Sequence, residues 1–511
     1  MNRLFLFAIG GTGARVVRSL TMMLAAGVDG LDSSYEIVPL IIDYDLSNGD
    51  KSRAVKALQS YASIHNTLYP NANTANYADH FFMTGISPLP SNDAAHPYEF
   101  YFGPQTTEKF AQYLRKNALN THPTTALTES LLEALYDTSD ERSKDAELEL
   151  DMAKGFKGNP NIGAVVFHEL KHSPEYQRFA ATFNPLSDKI FIVSSIFGGT
   201  GASGFPELVN AMRSDTDHTP LNTATIGAAL ILPYFKLQPV DPTKGDVGAI
   251  EAAAFNAKTR AALGYYATPN GINSKVDAIY YVGDENQDNY EYAEGEDRQK
   301  NKAHVVEFVA ATAILDFLKN ANAHGNGAFE FSIKDAKLET SIYLADFYDN
   351  THELVLDNLS VFAIAMKYYR DVICGNRKKI NSAVAFYNTF NMANQIGRGV
   401  WAEIDNFLLS SGENQWGFYA WLNELKDHVH SADLYRMDKS KELPHIFAPY
   451  EYKVKFYEKN PLSDSEISSM LNQQSKNVTT PTNSLFLKVL RDVSKQIRVN
   501  LKSSNFKPIN N

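Results

Sequence analysis

The chain has 511 residues, a formal net charge of −11 and an isoelectric point near 5.7. This length allows two or three domains, and the acidic balance argues against general binding to nucleic acid or acidic membranes. Cys374 is the single cysteine, so an intrachain disulfide is excluded and a reducing, cytoplasmic location is expected. The longest apolar stretch, residues 304–318, is interrupted by Glu307 and Asp316, and we therefore expect no transmembrane segment.

The first informative element is a glycine turn between a predicted strand and a predicted helix. Residues 4–9 are apolar, and an amphipathic pattern follows over 14–26. Glycines allow the backbone N–H groups of such a turn to point toward one place, and the start of the helix favours an anion there. The turn consists of Gly10, Gly11, Thr12 and Gly13.

The next predicted strand, residues 35–42, ends at two acids, Asp43 and Asp45. A glycine turn after the first strand and an acid after the second are typical of a dinucleotide-binding fold. Val16, however, occupies the position of the third glycine of that fingerprint. No glycine-rich loop ends in Lys-Ser or Lys-Thr, which excludes a P-loop.

A second strand–glycine–helix unit lies at residues 190–204. By itself this unit is equally consistent with a strand-to-helix turn that binds no ligand and with a phosphate site. Two such loops in one chain favour a nucleotide that is held at several points. Its candidate ligands are Gly198, Gly199, Thr200, Gly201 and Ser203.

Five motifs in order resemble those of the tubulin/FtsZ family of GTPases. The resemblance covers about half of the chain, and it implies a tubulin/FtsZ-like α/β domain with a mostly parallel sheet and helices on both faces. It also implies GTP or GDP and Mg²⁺ as cofactors. In the hallmark loop, Phe197 replaces the first glycine of the family motif. The five matches are the first glycine loop at 10–13, the acidic loop at 43–45, the Asn-Pro loop at 158–163, the hallmark loop at 197–204 and the proline-aromatic pair Pro233-Tyr234.

The resemblance also suggests a division of the chain. Residues 1–50 and 151–322 are predicted to form the tubulin-like nucleotide-binding domain. Residues 51–150 do not fit the family pattern and are interpreted as a helical insertion. Residues 323–511 are predicted to be a divergent C-terminal region, a hairpin of 329–333 with 339–344 and then mainly helices. The last helix, 484–502, has an apolar face that we expect to dock on the core and a basic face that includes Arg491.

The matched positions imply roles for further side chains. Arg15 is a candidate for added positive charge at the phosphates, and Asn159 for holding the third loop over the terminal phosphate. Asp45 could position a magnesium-bound water, with no direct metal ligand predicted. Other candidates for the ribose or phosphates are Asn256 and Arg260, and those for the base are Asp284, Asn286, Asn301 and His304. Structural alternatives remain open for these residues: turn capping for Asp45, and a salt bridge for Arg260.

Catalysis in this family uses an acid from the neighbouring subunit's loop after the central helix. The run Asp346-Phe-Tyr-Asp349 matches the core of that motif, although Leu344 replaces its asparagine. Capping of the following helix is the alternative interpretation.

The favoured hypothesis is a GTPase that assembles head-to-tail into filaments, with hydrolysis completed by the next subunit. The alternative is a switch or sensor that binds GTP and recruits other proteins without polymerising, with the C-terminal region as the candidate surface for those partners. A dinucleotide-dependent oxidoreductase is the third hypothesis, and the second glycine loop and the Asn159-Pro160 pair count against it.

Overall fold

The computed structural model contains one central parallel sheet. The structure describes residues 2–28, 35–45, 47–70, 80–102, 108–119, 130, 134–135, 147–152, 155–156, 158–237, 252–285, 288–290, 299–320, 341–375, 385–410, 415–437, 446–447, 450–451, 463–503 and 507–508. Its strands are β1 Asn2–Ile9, β2 Tyr35–Ile42, β3 Gly85–Ile86, β4 Lys189–Ser195, β5 Ile226–Ile231, β6 Phe235–Leu237, β7 Ala278–Val282, β8 Asp288–Tyr290, β9 Ser341–Ile342, β10 Ser431–Ala432, β11 Tyr450–Glu451 and β12 Lys507–Pro508.

Six strands pair in the order β3-β2-β1-β4-β5-β7, and each neighbouring pair is parallel. Alternate residues of β1 point to opposite faces. Leu4 and Leu6 belong to one apolar core, whereas Phe5 and Phe7 belong to the other. Because both faces are covered, the strands are apolar throughout rather than alternating. The predicted α/β class with a mostly parallel sheet is confirmed.

Helices cover both faces of this sheet. The first core includes residues of the helices that follow β1 and β2, and the second includes residues of the helix that follows β4. The α-helices are α1 Gly10–Ala26, α2 Gly49–Leu68, α3 Phe110–Leu119, α4 Pro160–Phe167, α5 Pro174–Thr182, α6 Gly199–Arg213, α7 Ala252–Tyr266, α8 Val305–Asn320, α9 Asp349–Thr351, α10 Asp357–Tyr368, α11 Ala385–Thr389, α12 Met392–Gln395, α13 Val400–Leu409, α14 Phe418–Lys426, α15 Asp464–Ser475 and α16 Asn483–Ser503. The π-helical segments His352–Leu356 and Tyr369–Cys374 flank α10.

Part of the predicted insertion, residues 51–150, belongs to the core. α2 packs along α1, and β3 extends the sheet beyond β2. Tyr61 of α2 is fully buried, and its hydroxyl donates to the carbonyl of Thr84 at 2.9 Å. These parts therefore do not form a layer separate from the sheet, since α2 buries its apolar face against α1. The limits of the domains stay a prediction.

The C-terminal region shares the first core with α1 and α8. The apolar face of α16 docks there as expected, with Phe486, Leu490 and Val493 fully buried. Arg491, expected on the basic face, is also buried and donates to the side chain of Asn358 at 3.2 Å. β9 pairs in parallel with β10. Residues 329–333, the other half of the expected hairpin, lie outside the described residues.

None of the helices within the described part of the chain is both long enough and apolar enough to cross a membrane.

Candidate functional site

Two glycine loops meet at the carboxyl edge of the sheet. From β1 and β4, which are adjacent, the chain turns directly into α1 and α6. The strand order reverses between these two strands, and ligands of open α/β sheets bind at such a switch point. A Cβ placed on Gly10 would lie 3.6 Å from the Cβ of Thr200, so the loops are in contact. The structure thus brings the two predicted phosphate loops together.

Three glycines of the two loops are required by the backbone or by packing. Gly10 has a φ of +73°, a conformation that residues with a Cβ rarely adopt. A Cβ on Gly13 would lie 2.7 Å from the carbonyl carbon of Ala8, and one on Gly201 only 2.3 Å from the oxygen of Ser195. α1 and α6 can therefore begin this close to the strands only without side chains at these positions.

Gly11 differs because it lies at the surface of its loop. A Cβ there would be in ordinary contact, 3.4 Å from Asn48 Nδ2 and Asp50 Oδ2 and 3.6 Å from Gln299 Nε2. The residues that precede α1 and α6, Ile9 and Gly198, make no side-chain cap. Backbone N–H groups at both helix starts are thus directed to the same edge of the sheet, as an anion site requires.

The hydroxyls of the loops have different surroundings. Ser203 is buried, and its Oγ donates to the carbonyl of Gly199 at 2.8 Å, within its own helix. Thr12 Oγ1 accepts from the guanidinium of Arg15 at 3.2 Å. Thr200 is half-buried beside Gly10. Of these three side chains, Thr200 is the one best placed for a ligand.

The third predicted loop adjoins the second glycine loop. A Cβ on Gly199 would lie 2.9 Å from the backbone nitrogen of Gly158, and one on Gly163 would clash with Ser203 Oγ at 2.1 Å. Asn159 is half-buried at the start of α4 and does not cap that helix with its side chain. Asn159 thus follows the residue that adjoins the second glycine loop, and its side chain does not cap the helix.

The acids after β2 form a compact turn beside the first glycine loop. Asp43 accepts from the backbone N–H of Asp45 at 3.1 Å and from Asn48 Nδ2 at 3.1 Å. Asp45 in turn accepts from the N–H and hydroxyl of Ser47. Burial, more than the neighbouring charge of Asp45, raises the pKa of Asp43 to about 7. A bound cation would favour ionised Asp43.

Arg15 lies in a buried ionic network rather than at the loop surface. Its guanidinium pairs with Asp50 and, at 2.5 Å, with Glu307 of α8. It also donates to the hydroxyl of Tyr234 at 2.7 Å, and that hydroxyl donates to Glu307 at 2.5 Å. Burial is the largest influence and opposes the charge, but Glu307, Tyr234 and Asp50 together outweigh it and keep the pKa of Arg15 well above its usual value. Each of the three guanidinium nitrogens therefore donates to the protein itself.

Lys258 is a cation at the third loop that the sequence analysis missed. It is half-buried on α7, and its Nζ donates to the carbonyl of Gly158 at 2.5 Å. Burial lowers the pKa of Lys258. The predicted residues of the same helix, Asn256 and Arg260, are both exposed. Lys258 lies between Asn256 and Arg260 in the sequence, and this position could have indicated a role at the site. Its contact with the third loop becomes evident only from the packing of α7.

The predicted base contacts are dispersed. Asn301 uses its backbone, donating to Asp50 at 3.0 Å and accepting from Arg53. Asp284 lies 2.7 Å from His430. His304 is fully buried beside the ring of Tyr234. Asn286 lies outside the described residues.

The predicted catalytic acids lie next to a short helical turn, Leu344–Asp346. Asp346 accepts from the backbone N–H of Tyr343 at 2.7 Å and so caps this turn. Asp349 is exposed at the start of α9. Phe347, between the two acids, packs against Phe308 near the beginning of α8. Asp349 is thus the acid that a neighbouring molecule could reach more easily.

The sheet order and the loop contacts define an open α/β protein in which two glycine loops meet at a switch point of the sheet. No family model matches the chain, and no curated protein matches it in sequence. Among solved structures, it is similar to CetZ from Methanosaeta thermophila, with 12% identity and a TM-score of 0.24. The match covers 64% of this chain and 57% of that chain, so less than two thirds of CetZ is spanned. A likeness this weak carries no argument for function.

Proposed function

We propose that this protein is a tubulin-like GTPase that binds GTP and GDP at the switch point and assembles head-to-tail into filaments. The observation that supports it most is the contact between the glycine loops that follow β1 and β4, with the Gly158 loop alongside. Three loops that are far apart in sequence then surround one point with backbone N–H groups, which suits a polyphosphate. The order of the five motifs in the sequence makes a guanine nucleotide the favoured ligand.

Magnesium fits the same place. Asp43 and Asp45 offer carboxylate oxygens, the ligand type that Mg²⁺ prefers, next to the first glycine loop. Asp43 is buried, which disfavours its charged form unless a cation is near. In this proposal Asp45 holds a water of the Mg²⁺ shell, and the ion neutralises the phosphate charge when it is bound. The chain itself orients the phosphates through its loops and through Lys258.

Nucleotide binding is tested with Gly11→Val. A Cβ on Gly11 would meet its protein neighbours only at ordinary contact distances. A phosphate bound against this loop, in contrast, would collide with the added side chain. We expect GTP affinity, measured by isothermal titration with Mg²⁺ present, to fall by about 100-fold, or ~2.7 kcal/mol. Unfolding curves should show a stable protein. Unchanged GTP affinity in this folded variant would reject the site.

The same titration separates the ligand classes. Wild-type protein is titrated in parallel with GTP, ATP and NAD. Preference for GTP supports the guanine assignment, whereas tight binding of NAD alone would support the dinucleotide-dependent oxidoreductase. The strand order is compatible with both classes, because dinucleotide-binding folds share it.

Assembly and hydrolysis are tested together. If Asp349 or Asp346 of one subunit acts on the nucleotide of the next, turnover per molecule should rise steeply with protein concentration, because head-to-tail contacts propagate into open filaments. Asp349→Ala should slow turnover without weakening GTP binding. Assemblies should appear in light scattering and in negative-stain images.

The second candidate is a switch that binds GTP without polymerising. It is favoured by the hydrogen bond of Asp346 to its own turn and by the C-terminal helices packed against α1, where Arg18 pairs with Glu424 at 2.6 Å. Turnover strictly proportional to protein concentration, without assemblies, would leave this candidate standing and reject the filament.

A further inference from the structure

A buried cluster of one carboxylate and two imidazoles lies beside the ionic network, outside the phosphate loops. It consists of Asp288 at the start of β8, His304 just before α8, and His428 just after α14. One ligand atom of each residue lies within 4.8 Å of the other two. Three segments that are distant in sequence thus place metal-ligating atoms around one point.

Two of the three distances between these atoms suit a small tetrahedral metal, and the third, between the imidazole nitrogens, is at most 4.8 Å. Asp288 Oδ2 is 3.2 Å from His304 Nε2 and 3.1 Å from His428 Nδ1. Ligands that lie about 2.0–2.1 Å from a tetrahedral Zn²⁺ are separated by roughly 3.3 Å. The two imidazole rings have their centroids 4.6 Å apart in an edge-on arrangement, so both rings border the same point.

His428 presents Nδ1 to the cluster. Its Nε2 lies 2.8 Å from the carbonyl oxygen of Ala303, which can only accept, so Nε2 carries a proton. In the neutral ring the lone pair of Nδ1 then faces the carboxylate of Asp288 at 3.1 Å, and one cation could bind both acceptors. A backbone carbonyl that holds the other ring nitrogen is a common second-shell partner of metal-bound histidine.

His304 supplies the third ligand. The side chain is fully buried, and no described group is aligned to accept a hydrogen bond from its Nε2. Its Nδ1 accepts from the backbone N–H of Val306 at 3.1 Å. Binding a metal through Nε2 places the ring proton on Nδ1, which loses this hydrogen bond and sets two buried donors against each other. The affinity of a structural metal site is large enough to exceed that cost.

We propose that Asp288, His304 and His428 bind one zinc-class transition-metal ion, which fastens the segment after α14 to the start of α8. Two neutral imidazoles and one carboxylate are a ligand set that Zn²⁺ accepts in preference to Mg²⁺. The Asp288 carboxylate also accepts from the backbone N–H of Val429 at 2.8 Å, which orients it toward the two rings. The site lies outside the phosphate loops, and its His304 ring packs against Tyr234 of the ionic network.

The test is a Co²⁺ and Zn²⁺ titration of chelator-treated, full-length protein in excess Mg²⁺, which occupies oxygen-ligand sites. We expect one ion per chain, d–d absorption bands typical of low-coordinate Co²⁺, and competition by Zn²⁺. His428→Gln should weaken binding by at least about 100-fold, since loss of even an outer-shell partner costs 10- to 100-fold. The matched control is His430→Gln, because His430 pairs with Asp284 rather than with this cluster. Its affinity should stay within about twofold of wild type.

Substoichiometric Co²⁺ binding by the folded wild-type protein would overturn the proposal, as would equal affinities of the two folded variants. If His428→Gln does not fold, the Co²⁺ spectrum of the wild type still decides, because the weak bands of octahedral Co²⁺ would contradict the four-coordinate geometry of the proposed site.

Discussion

The two sides of the candidate site are built by different means. The phosphate side consists of backbone. Glycines at the helix starts lie so close to the neighbouring strands that a Cβ on Gly13 or Gly201 would clash with the strand backbone. The side toward α8 consists of buried ionised side chains in which two positive charges balance two negative ones: Arg15, Arg53, Asp50 and Glu307. The first side presents N–H groups, whereas the second holds α1, α2 and α8 together.

The difference explains what the sequence alone could reveal. A glycine loop is a local pattern, and the strand before it predicts where its N–H groups point, so the meeting of the Gly10 and Gly198 loops could be anticipated. The parallel sheet followed from the same strand–loop–helix units. The ionic network could not be anticipated, because Arg15 and Glu307 are 292 positions apart and no local pattern pairs them.

The same reasoning accounts for Arg15. Its position one residue beyond a phosphate loop indicated a cation at the phosphates or in solvent, yet α1 turns the side chain into the core. A sequence pattern predicts which residues share a face of a helix, but it does not predict which distant element packs on that face. Here α8 and Tyr234 pack over Arg15. Without Glu307, the buried charge of Arg15 would be costly. The docking of α16 shows the converse, since a strong apolar face correctly indicated burial.

The largest effect is expected from removing the network's acid. Glu307→Gln keeps the shape but leaves the buried Arg15 with one carboxylate partner fewer. We expect the free energy of unfolding to fall by about 3–5 kcal/mol, the usual cost of breaking a buried pair from one side. Denaturant unfolding measures it. The exposed pair of Lys109 and Glu149 offers a control, because Glu149→Gln should cost only ~0–1 kcal/mol. Equal losses in the two variants would mean that the network does not stabilise the fold.

A smaller effect is expected on the pH dependence of stability, through Asp43, which lies between the two sides of the candidate site. Burial raises the pKa of Asp43 to about 7, above its ordinary value of 3.8. Between these two pKa values Asp43 is protonated in the folded protein and ionised in the unfolded chain. The free energy of unfolding therefore falls as pH rises from about 4 to about 7. The expected slope is roughly 1.4 kcal/mol per pH unit.

Asp43→Asn removes this titration. The difference in unfolding free energy between variant and wild type should therefore grow in favour of the variant from pH 5 to pH 7 in the absence of Mg²⁺. Taking the difference cancels the other titrating groups. Parallel pH profiles would show that Asp43 is ionised throughout this range. Mg²⁺ should flatten the wild-type profile if Asp43 helps to hold the ion.

The smallest effect distinguishes Lys258 from the residues expected on the same helix. Lys258 Nζ reaches the carbonyl of Gly158, whose backbone nitrogen lies next to Gly199, whereas Arg260 is exposed two residues further on. If the phosphates bind between these loops, Lys258 both holds the third loop and adds positive charge. Lys258→Ala should weaken GTP binding by about tenfold, or ~1.4 kcal/mol, and Lys258→Arg should retain most of the affinity. Arg260→Ala is the matched control, with a change of less than about twofold. A larger loss in Arg260→Ala than in Lys258→Ala would mean that the ligand lies along the exposed face of α7, where the family resemblance puts it, and that Lys258 serves only the loop.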